Sequence, residues 1–285
     1  MIDLHTHTYE SDGTLAPGEL VEAARVLGLE ALGISDHDTF AGYDQAVPLA
    51  REAGLDLVCG IELSTKWNQS AESRGRSVHV LAYFLDGAPT AEFREWLEGL
   101  ARSRRDRNRR LAASLQALGM DVRIEEVEQR GRRMAGRPHF AQLLLEKKYV
   151  TTLQEAFDRY LAEGAEAYVE RDEPSLEEGI AKILNAGGLP SLAHPVRLTR
   201  KASELEQSVK RMCDMGLRAI EVYHSDHGPR DVELYVKLAG RFGLAITGGT
   251  DFHGANKPGL ALGVGYGNVT VPRELLEFLR AAAVR

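Results

Sequence analysis

The sequence contains only two cysteines in 285 residues, Cys59 and Cys213. Two cysteines are too few for a disulfide framework and are typical of a protein in a reducing compartment. No stretch approaches the roughly 18 consecutive apolar residues of a membrane span, and the first residues lack the pattern of a signal peptide. We therefore expect a cytoplasmic protein that has no membrane partner.

An excess of positive charge is also lacking. The formal net charge is −7, whereas proteins that coat nucleic acid are usually basic. We therefore expect no stable partnership with long nucleic acid, although a local basic pocket is compatible with this charge. With 44% hydrophobic and 27% charged residues, the composition is that of an ordinary soluble globular protein.

Short apolar runs alternate with helical patterns along most of the chain, which predicts a parallel sheet with crossover helices. The first run is followed by a helical pattern that begins near Pro17 and ends at Gly28, as helix punctuation requires. Seven strands are clear, and residues 264–271 are a candidate for a further edge strand. The predicted strands are 2–4, 31–34, 57–59, 78–82, 189–193, 219–222 and 244–247.

The alternation breaks between about residues 91 and 171, where one helical pattern follows another. Leu111, Leu115 and Leu118, for example, recur at helical spacing. We predict an inserted small α-helical domain at 91–171 that caps the substrate, with residues 1–90 and 172–285 forming the main α/β domain.

Histidines and acidic residues fall near the ends of the predicted strands, and in a parallel barrel these ends open on one face. A single histidine at such a place is more often a structural residue, but seven of the nine histidines in one pattern favour a shared metal site. Imidazole with carboxylate suits Zn²⁺, Mn²⁺ or Fe²⁺, and no cysteine lies near for a thiolate site. The residues concerned are His5, His7, Asp36, His37, Glu62, His79, His194, Glu221, His224, Asp251 and His253.

Three motifs resemble the polymerase and histidinol phosphatase (PHP) superfamily. They are His5-Thr6-His7 with Asp12-Gly13-Thr14, then Ser35-Asp36-His37-Asp38, and finally Gly249-Thr250-Asp251-Phe252-His253. The resemblance implies an α/β fold, a distorted (β/α)₇ TIM-like barrel, and a trinuclear metal site. Three divalent ions are expected, Mn²⁺ first, with Zn²⁺ and Fe²⁺ as alternatives.

The same resemblance implies a set of ligands for each ion. The first ion would be bound by His5, His7, Glu62 and Asp251, the second by Glu62, His79 and His194, and the third by Asp12, His37 and His253. Some family members carry a histidine in the place of Asp12. The aspartate here points to the subgroup with a Ser-Asp-Gly turn rather than to the histidinol phosphatases.

The arginines of the helical segment favour an anionic substrate, since six of them lie between residues 102 and 110. Arg102 and Arg105 share one helix face, and arginine binds phosphate through paired hydrogen bonds. A solvated helix face is the alternative for each arginine taken singly. Arg137 and His139 are further substrate-binding candidates, with a helix start at Pro138 as the alternative.

The helical insertion with its Arg-Pro-His segment resembles the 3′,5′-nucleoside bisphosphate phosphatases of this superfamily. That resemblance implies removal of the 3′-phosphate from a small nucleotide, such as adenosine 3′,5′-bisphosphate. The hypothesis for the reaction is attack by a hydroxide that bridges two ions, with His194 or His224 as the general acid. Asp36 and Glu221 are expected to orient imidazole rings, and His227 is interpreted as an ordinary loop residue.

Three alternatives remain open. They are a 5′-to-3′ exonuclease on short RNA or DNA oligonucleotides, a phosphatase for another small molecule, and a metal-binding interaction module without activity. The negative net charge favours small substrates, because long nucleic acid would be repelled. The complete set of ligand positions favours an enzyme over a module that has lost its activity.

Overall fold

Among the described residues, a sheet of seven strands, hydrogen-bonded in the order of the sequence, positions the histidine motifs. The computed structural model describes residues 1–68, 75–170 and 173–283. Its strands are β1 (Ile2–Thr6), β2 (Ala31–Ile34), β3 (Asp56–Trp67), β4 (Arg76–Phe84), β5 (Leu189–Leu192), β6 (Ala219–Tyr223) and β7 (Ala245–Gly248). All seven predicted strands are present at the expected places.

The strands are parallel except for β4, which runs antiparallel to both β3 and β5. The expectation of a wholly parallel sheet is therefore wrong at β4. The reason lies in the connection between Trp67 and Arg76, which is shorter than the dozen or more residues that a parallel crossover needs. A connection of this length joins two neighbouring strands as a hairpin.

The sheet curls, because the residues that follow β7 hydrogen-bond with the end of β1. The amide of Asp251 donates to the carbonyl of His5 (2.8 Å), and the amide of His7 donates to the carbonyl of Phe252 (2.9 Å). The segment 264–271 forms turns and isolated bridges instead of the further edge strand that the sequence suggested, and one bridge pairs Val271 with Ile2. An α/β fold built on a curled seven-stranded sheet is thus confirmed.

Two compact units make up the described chain, one from Met1–Arg94 with Pro174–Arg285 and the other from Glu95–Glu173. In the first unit, helix starts and stops follow local chemistry: Pro17 and Pro229 begin helices, and Gly54 and Gly243 end them with φ of 65° and 66°. Its helices are α1 (Pro17–Val26), α2 (Ala41–Ala53), α7 (Leu176–Asn185), α8 (Ala202–Asp214), α9 (Pro229–Phe242) and α10 (Arg273–Ala283).

Helices also account for the second unit, whose apolar residues form a core of their own. Leu111 and Leu115 pack there with Phe140, Leu144 and Leu161. The helices are α3 (Ala91–Ala117), which begins in the first unit, α4 (Ile124–Gly131), α5 (Arg137–Glu146) and α6 (Leu153–Ala156), followed by a π-helical turn at Phe157–Leu161. That this segment is a domain that caps the substrate stays a prediction.

No described helix combines the length and the apolar character that crossing a bilayer requires.

Candidate metal centre

The nine residues predicted as metal ligands all lie in the first unit, and six segments of the chain bring them together. Parallel strands deliver side chains at their carboxyl ends, and β1, β2, β5 and β7 do so here. β4 delivers His79 from its amino-terminal half, where His79 pairs with Ser64 of β3. Because β4 runs in the opposite direction, that half lies at the same edge of the sheet as the carboxyl ends of its neighbours.

Glu62 is the centre of the cluster, and its side chain is almost completely buried. Five imidazoles approach its two oxygens, so that one carboxylate touches two groups of candidate ligands. Oε2 lies 3.1 Å from His5 Nε2, 3.1 Å from His7 Nε2 and 3.4 Å from His37 Nε2, while Oε1 lies 2.8 Å from His79 Nδ1 and 2.7 Å from His194 Nε2. Such sharing suits a carboxylate that bridges two ions.

Asp251 completes the first group of four candidate ligands. Its Oδ1 lies 3.5 Å from His5 Nε2 and 3.3 Å from His7 Nε2. At metal–ligand distances of about 2.0–2.2 Å, two ligands of one ion lie about 3.0–3.4 Å apart. His7 Nε2 is buried, and although the carboxylate oxygens of Glu62 and Asp251 lie within 3.3 Å of it, their directions give it no hydrogen bond among the described residues. These distances, with an imidazole nitrogen that no hydrogen bond uses, fit a bound cation.

Asp12 belongs to a second group of candidate metal ligands. It is the most exposed member, since 38% of its side chain is accessible. His253 Nε2 lies 3.2 Å from Asp12 Oδ1, and His37 Nε2 lies 3.7 Å from Oδ2. His7 belongs to this group as well, and its Nδ1 lies 3.5 Å from Asp12 Oδ1. A third group consists of His37, Glu62 and His79, next to His194. Two of these groups contain the first and the third ligand set that the resemblance implied, whereas the group around His79 contains His37 in place of His194. The assignment of ligands to individual ions stays a prediction.

The charges of the cluster keep its carboxylates ionised. Burial disfavours the charged carboxylate of Glu62, but the surrounding histidines outweigh burial and hold its pKa well below the usual value. Burial lowers the pKa of His37 and His194 to about 4, so both rings are neutral at pH 7, the form that binds metal. For His5 and His7 the neighbouring carboxylates outweigh burial and raise the pKa, that of His7 to about 9, so a metal ion at these two ligands would displace protons.

Glu221 and Asp36 are buried carboxylates that were both expected to orient imidazole rings, but their hydrogen-bond partners differ. Glu221 accepts from His5 Nδ1 at 2.8 Å, which turns His5 Nε2 towards Glu62. Asp36 instead accepts the amide and hydroxyl of Thr8 and the hydroxyl of Ser11, each at 2.7 Å. Asp36 therefore holds the loop that carries Asp12, rather than an imidazole.

Asp3 also holds a loop of the metal centre, a role that the sequence analysis did not predict. It accepts the amide and hydroxyl of Thr250 (2.9 and 2.6 Å) and the amide of Gly263 (2.9 Å). The residue next to Thr250 is Asp251. Gly249 lies so close to the backbone of His5 that an added Cβ would be 2.3 Å from its amide nitrogen. Asp3 lies two residues before His5, on the same face of the strand, and this spacing was the available signal.

Of the two candidate general acids, His224 is the one whose hydrogen bonds place the ring proton on a particular nitrogen. Its Nδ1 accepts the amide of Asp226 at 2.9 Å, so the ring proton is on Nε2, which lies 3.3 Å from Asp251 Oδ2. His194 Nε2 is occupied by Glu62 at 2.7 Å. His227 is buried, and its Nδ1 donates to the carbonyl of Val222.

The predicted substrate-binding residues lie in the second unit. Arg102 and Arg105 are exposed on α3, whereas Arg104 and Arg107, which were not chosen, are buried. Arg137 is the first residue of α5, where its guanidinium lies 5.8 Å from the centre of the Tyr168 ring, and His139 Nδ1 accepts the amide of Gly136 at 3.2 Å. The segment is a helix start, as the sequence also allowed, and its role in substrate binding stays a prediction.

Known proteins resemble the chain over nearly its whole length. A PHP domain family model matches residues 3–185. The 3′,5′-nucleoside bisphosphate phosphatase of Chromobacterium violaceum is 30% identical, over 92% of this chain and 90% of the relative. The 5′-3′ exoribonuclease Rnm of Salmonella typhimurium is 32% identical, over 88% of this chain and 84% of the relative.

A solved structure from Bifidobacterium adolescentis, described as a metal-dependent phosphoesterase, superimposes with a TM-score of 0.75 at 31% identity. The match covers 98% of this chain and 95% of that one. The family model covers more than half of the chain, and the resemblance that the three motifs suggested is confirmed. The chain belongs to the PHP domain family and is a metal-dependent phosphoesterase, an enzyme that hydrolyses phosphate esters.

Proposed function

We propose that the enzyme removes the 3′-phosphate from nucleoside 3′,5′-bisphosphates and leaves the 5′-monophosphate. The observation that carries this proposal is the buried cluster around Glu62, which contains several groups of residues that could each hold a metal ion. The similarity to the bisphosphate phosphatase of Chromobacterium violaceum supports the choice of substrate.

Three divalent ions are part of the proposal, with Mn²⁺ as the first candidate and Zn²⁺ or Fe²⁺ as alternatives. The ligand sets are His5, His7, Glu62 and Asp251 for the first ion, Glu62, His79 and His194 for the second, and Asp12, His37 and His253 for the third. When bound, such ions would supply a water of lowered pKa, toward about 7, and positive charge for the phosphoryl oxygens.

His224 is proposed as the proton donor for the leaving 3′-oxygen. The amide of Asp226 occupies Nδ1, which keeps the proton on Nε2, 3.3 Å from Asp251 Oδ2. His194, the other candidate, has its Nε2 against Glu62 and is assigned to the metal ligands alone. A general acid of this kind contributes roughly 10²–10⁴-fold to the rate.

The general-acid role has a direct test in the leaving group. His224→Gln should lower kcat strongly for a nucleoside 3′-phosphate, whose alkoxide needs a proton, and much less for p-nitrophenyl phosphate, whose leaving group does not. Equal losses with both substrates would remove His224 from this role.

Recognition of the second phosphate is assigned to Arg102, Arg105, Arg137 and His139. Arg102 and Arg105 are exposed and so available to a ligand, and arginine suits phosphate geometry. Replacing Arg102 and Arg105 together by Gln should raise KM for a 3′,5′-bisphosphate but leave KM for a 3′-monophosphate unchanged.

The substrate itself is tested by measuring phosphate release, with Mn²⁺, from adenosine 3′,5′-bisphosphate, from adenosine 3′-monophosphate and from a short RNA. The proposal expects the highest kcat/KM with the bisphosphate.

A second candidate is a 5′-to-3′ exonuclease on short oligonucleotides, favoured by the similarity to the Salmonella typhimurium exoribonuclease. Release of 5′-mononucleotides from a dinucleotide, faster than phosphate from the bisphosphate, would establish this activity instead.

A further inference from the structure

Asp251 has two cationic side chains against it that the metal-ligand pattern does not explain. Arg197 Nη2 lies 2.9 Å from Asp251 Oδ2, and Lys257 Nζ donates to the same oxygen. Lys257 also donates to the main-chain carbonyl of Asp251 at 3.2 Å. Asp251 is buried, whereas 42% of Arg197 and 26% of Lys257 are accessible. The two cations therefore lie on the solvent side of the metal centre.

Both cations are fixed to the centre by short stretches of chain. Arg197 ends the 3₁₀ turn Pro195–Arg197 that follows His194, and Lys257 follows the turn Gly254–Asn256 after His253. Asp226 orients the guanidinium, since Arg197 Nε and Nη2 lie 2.9 and 2.7 Å from its Oδ2. Movement of either cation relative to the candidate metal ligands is limited by this tethering.

The charges in this region balance only while Asp251 neutralises Arg197 and Lys257. Arg197 and Lys257 carry two positive charges, and Asp226 and Asp251 carry two negative ones. A metal ion bound by His5, His7 and Glu62 would also be neutralised in part by Asp251. Arg197 and Lys257 would then carry more positive charge than Asp226 alone can balance. With Asp226 still paired, the surplus is about one positive charge, which favours an anionic group such as a phosphate monoester, whose charge is about −1.5 to −2 at neutral pH.

Space for the rest of a substrate lies beside Arg197. A cavity of about 180 Å³ is bordered by His79, His194 and Arg197 on its polar side. Val78, Leu192 and Leu198 supply apolar walls. A phosphate at the cations and an organic group in this cavity would therefore be neighbours.

We propose that Arg197 and Lys257 form a phosphate-recognition pair, which binds the non-bridging oxygens of the scissile phosphoryl group while the attached organic group enters the cavity. Asp226 is a positioning residue that acts through Arg197. The inference rests on the proposed function only in taking a phosphomonoester as the ligand, and it is independent of which nucleotide is hydrolysed.

The test measures binding of inorganic phosphate to the Mn²⁺-loaded protein by calorimetry, together with bound manganese by elemental analysis. Arg197→Ala and Lys257→Ala should each weaken phosphate binding by roughly tenfold to a hundredfold, the range for a charge-assisted hydrogen bond, with manganese content unchanged. Lys201→Ala is the matched control, because Lys201 is an exposed cation near Arg197 that pairs with Glu204; phosphate binding should not change.

Two further variants separate the roles of charge and shape. Arg197→Lys keeps the charge but loses the planar fork, so phosphate binding should fall between wild type and Arg197→Ala. Asp226→Asn should raise the phosphate Kd and KM while kcat with p-nitrophenyl phosphate changes little.

Phosphate binding equal to wild type in both alanine variants would overturn the proposal. Loss of manganese in both would overturn it as well, because the pair would then serve Asp251 and not phosphate. If wild type binds phosphate, the alanine variants do not, and no bisphosphate is hydrolysed, the nucleotide assignment fails and the recognition pair stands.

Discussion

Glu62 shows how much of the metal centre depends on a single side chain. Its two oxygens contact imidazoles from β1, β4 and the segments after β1, β2 and β5. The amide of a glutamine has the same shape, but it lacks the charge and one acceptor, and its NH₂ group cannot bind a cation. Loss of Glu62 should therefore affect more than one ion.

We expect Glu62→Gln to lose most of the bound Mn²⁺ and to lower kcat roughly 10³-fold or more, because the electrostatic part of catalysis is usually its largest component. Elemental analysis and phosphate release measure the two effects. Glu233→Gln is the control, since Glu233 is exposed on α9 and pairs with Lys237. Full manganese content in Glu62→Gln would contradict the assignment of Glu62 as a shared ligand.

Asp3 provides a second prediction, which concerns a residue outside the ligand sets. Asp3→Asn places an NH₂ group against the donors of Thr250 and Gly263, and each buried group left unsatisfied costs about 1–3 kcal/mol. We expect a loss of stability of that size in denaturant unfolding and a weaker Mn²⁺ affinity, since Asp251 follows Thr250. Excess Mn²⁺ should restore most of kcat, and an unchanged Mn²⁺ affinity would show that Asp3 serves the fold alone.

Two residues of the metal centre also have an unusual backbone conformation. His194 and Asp251 adopt φ of 28° and 59°, a region that residues with a side chain rarely occupy. Hydrogen bonds hold both, since the amide of His194 donates to Glu221 and the amide of Asp251 to the carbonyl of His5. Residue type and motif predicted these two positions, but their strained backbone depends on partners far away in the sequence.

At the scale of elements, the direction of β4 decides how His79 reaches the cluster. The apolar run at 78–82 predicted the strand, and a run of this kind has the same pattern in either direction. The length of the connection before β4 was the available signal for the hairpin. Similarly, β3 continues to Trp67, so Glu62 lies within a long strand rather than after a short one.

The attachment of α10 to β3 is expected to depend on pH. Asp56, at the start of β3, hydrogen-bonds with Arg280 and Arg273 of α10 at 2.7–2.8 Å, and these bonds lower its pKa below the usual value. A lowered folded-state pKa means that the stabilisation is present above the unfolded pKa, near 3.9, and is lost as the pH falls through the folded pKa.

We therefore expect Asp56→Asn to cost on the order of 1 kcal/mol at pH 7, because the ion pairs are partly exposed. The difference from wild type should shrink as the pH falls below about 4. Urea unfolding at several pH values measures it, and Asp214→Asn is the control because Asp214 and Lys210 are both exposed. A difference that stays constant down to pH 2 would contradict the ion-pair explanation.

At the scale of the whole molecule, metal binding should stabilise the fold, since the ligands come from segments between β1 and the turn after β7. A ligand at a hundredfold its Kd contributes about 2.7 kcal/mol, roughly 5–10 °C in Tm for a unit of this size. We expect Mn²⁺ to raise the Tm of chelator-treated protein by at least this amount. The same rise in Glu62→Gln would show that the ions bind elsewhere.

The sequence by itself determined the fold class, the seven strands and the chemistry of the centre, because periodicity and donor type are local properties of the chain. The tertiary structure decided which loop Asp36 holds, the place of Asp3 beside Thr250, and the contact of Arg197 and Lys257 with Asp251. Lys257 reaches Asp251 within one loop, but Asp36 and Arg197 contact segments that follow other strands. The contact of Asp3 with Thr250 joins residues 247 positions apart, and no local pattern encodes it. It exists because the sheet curls and brings its first and last strands together.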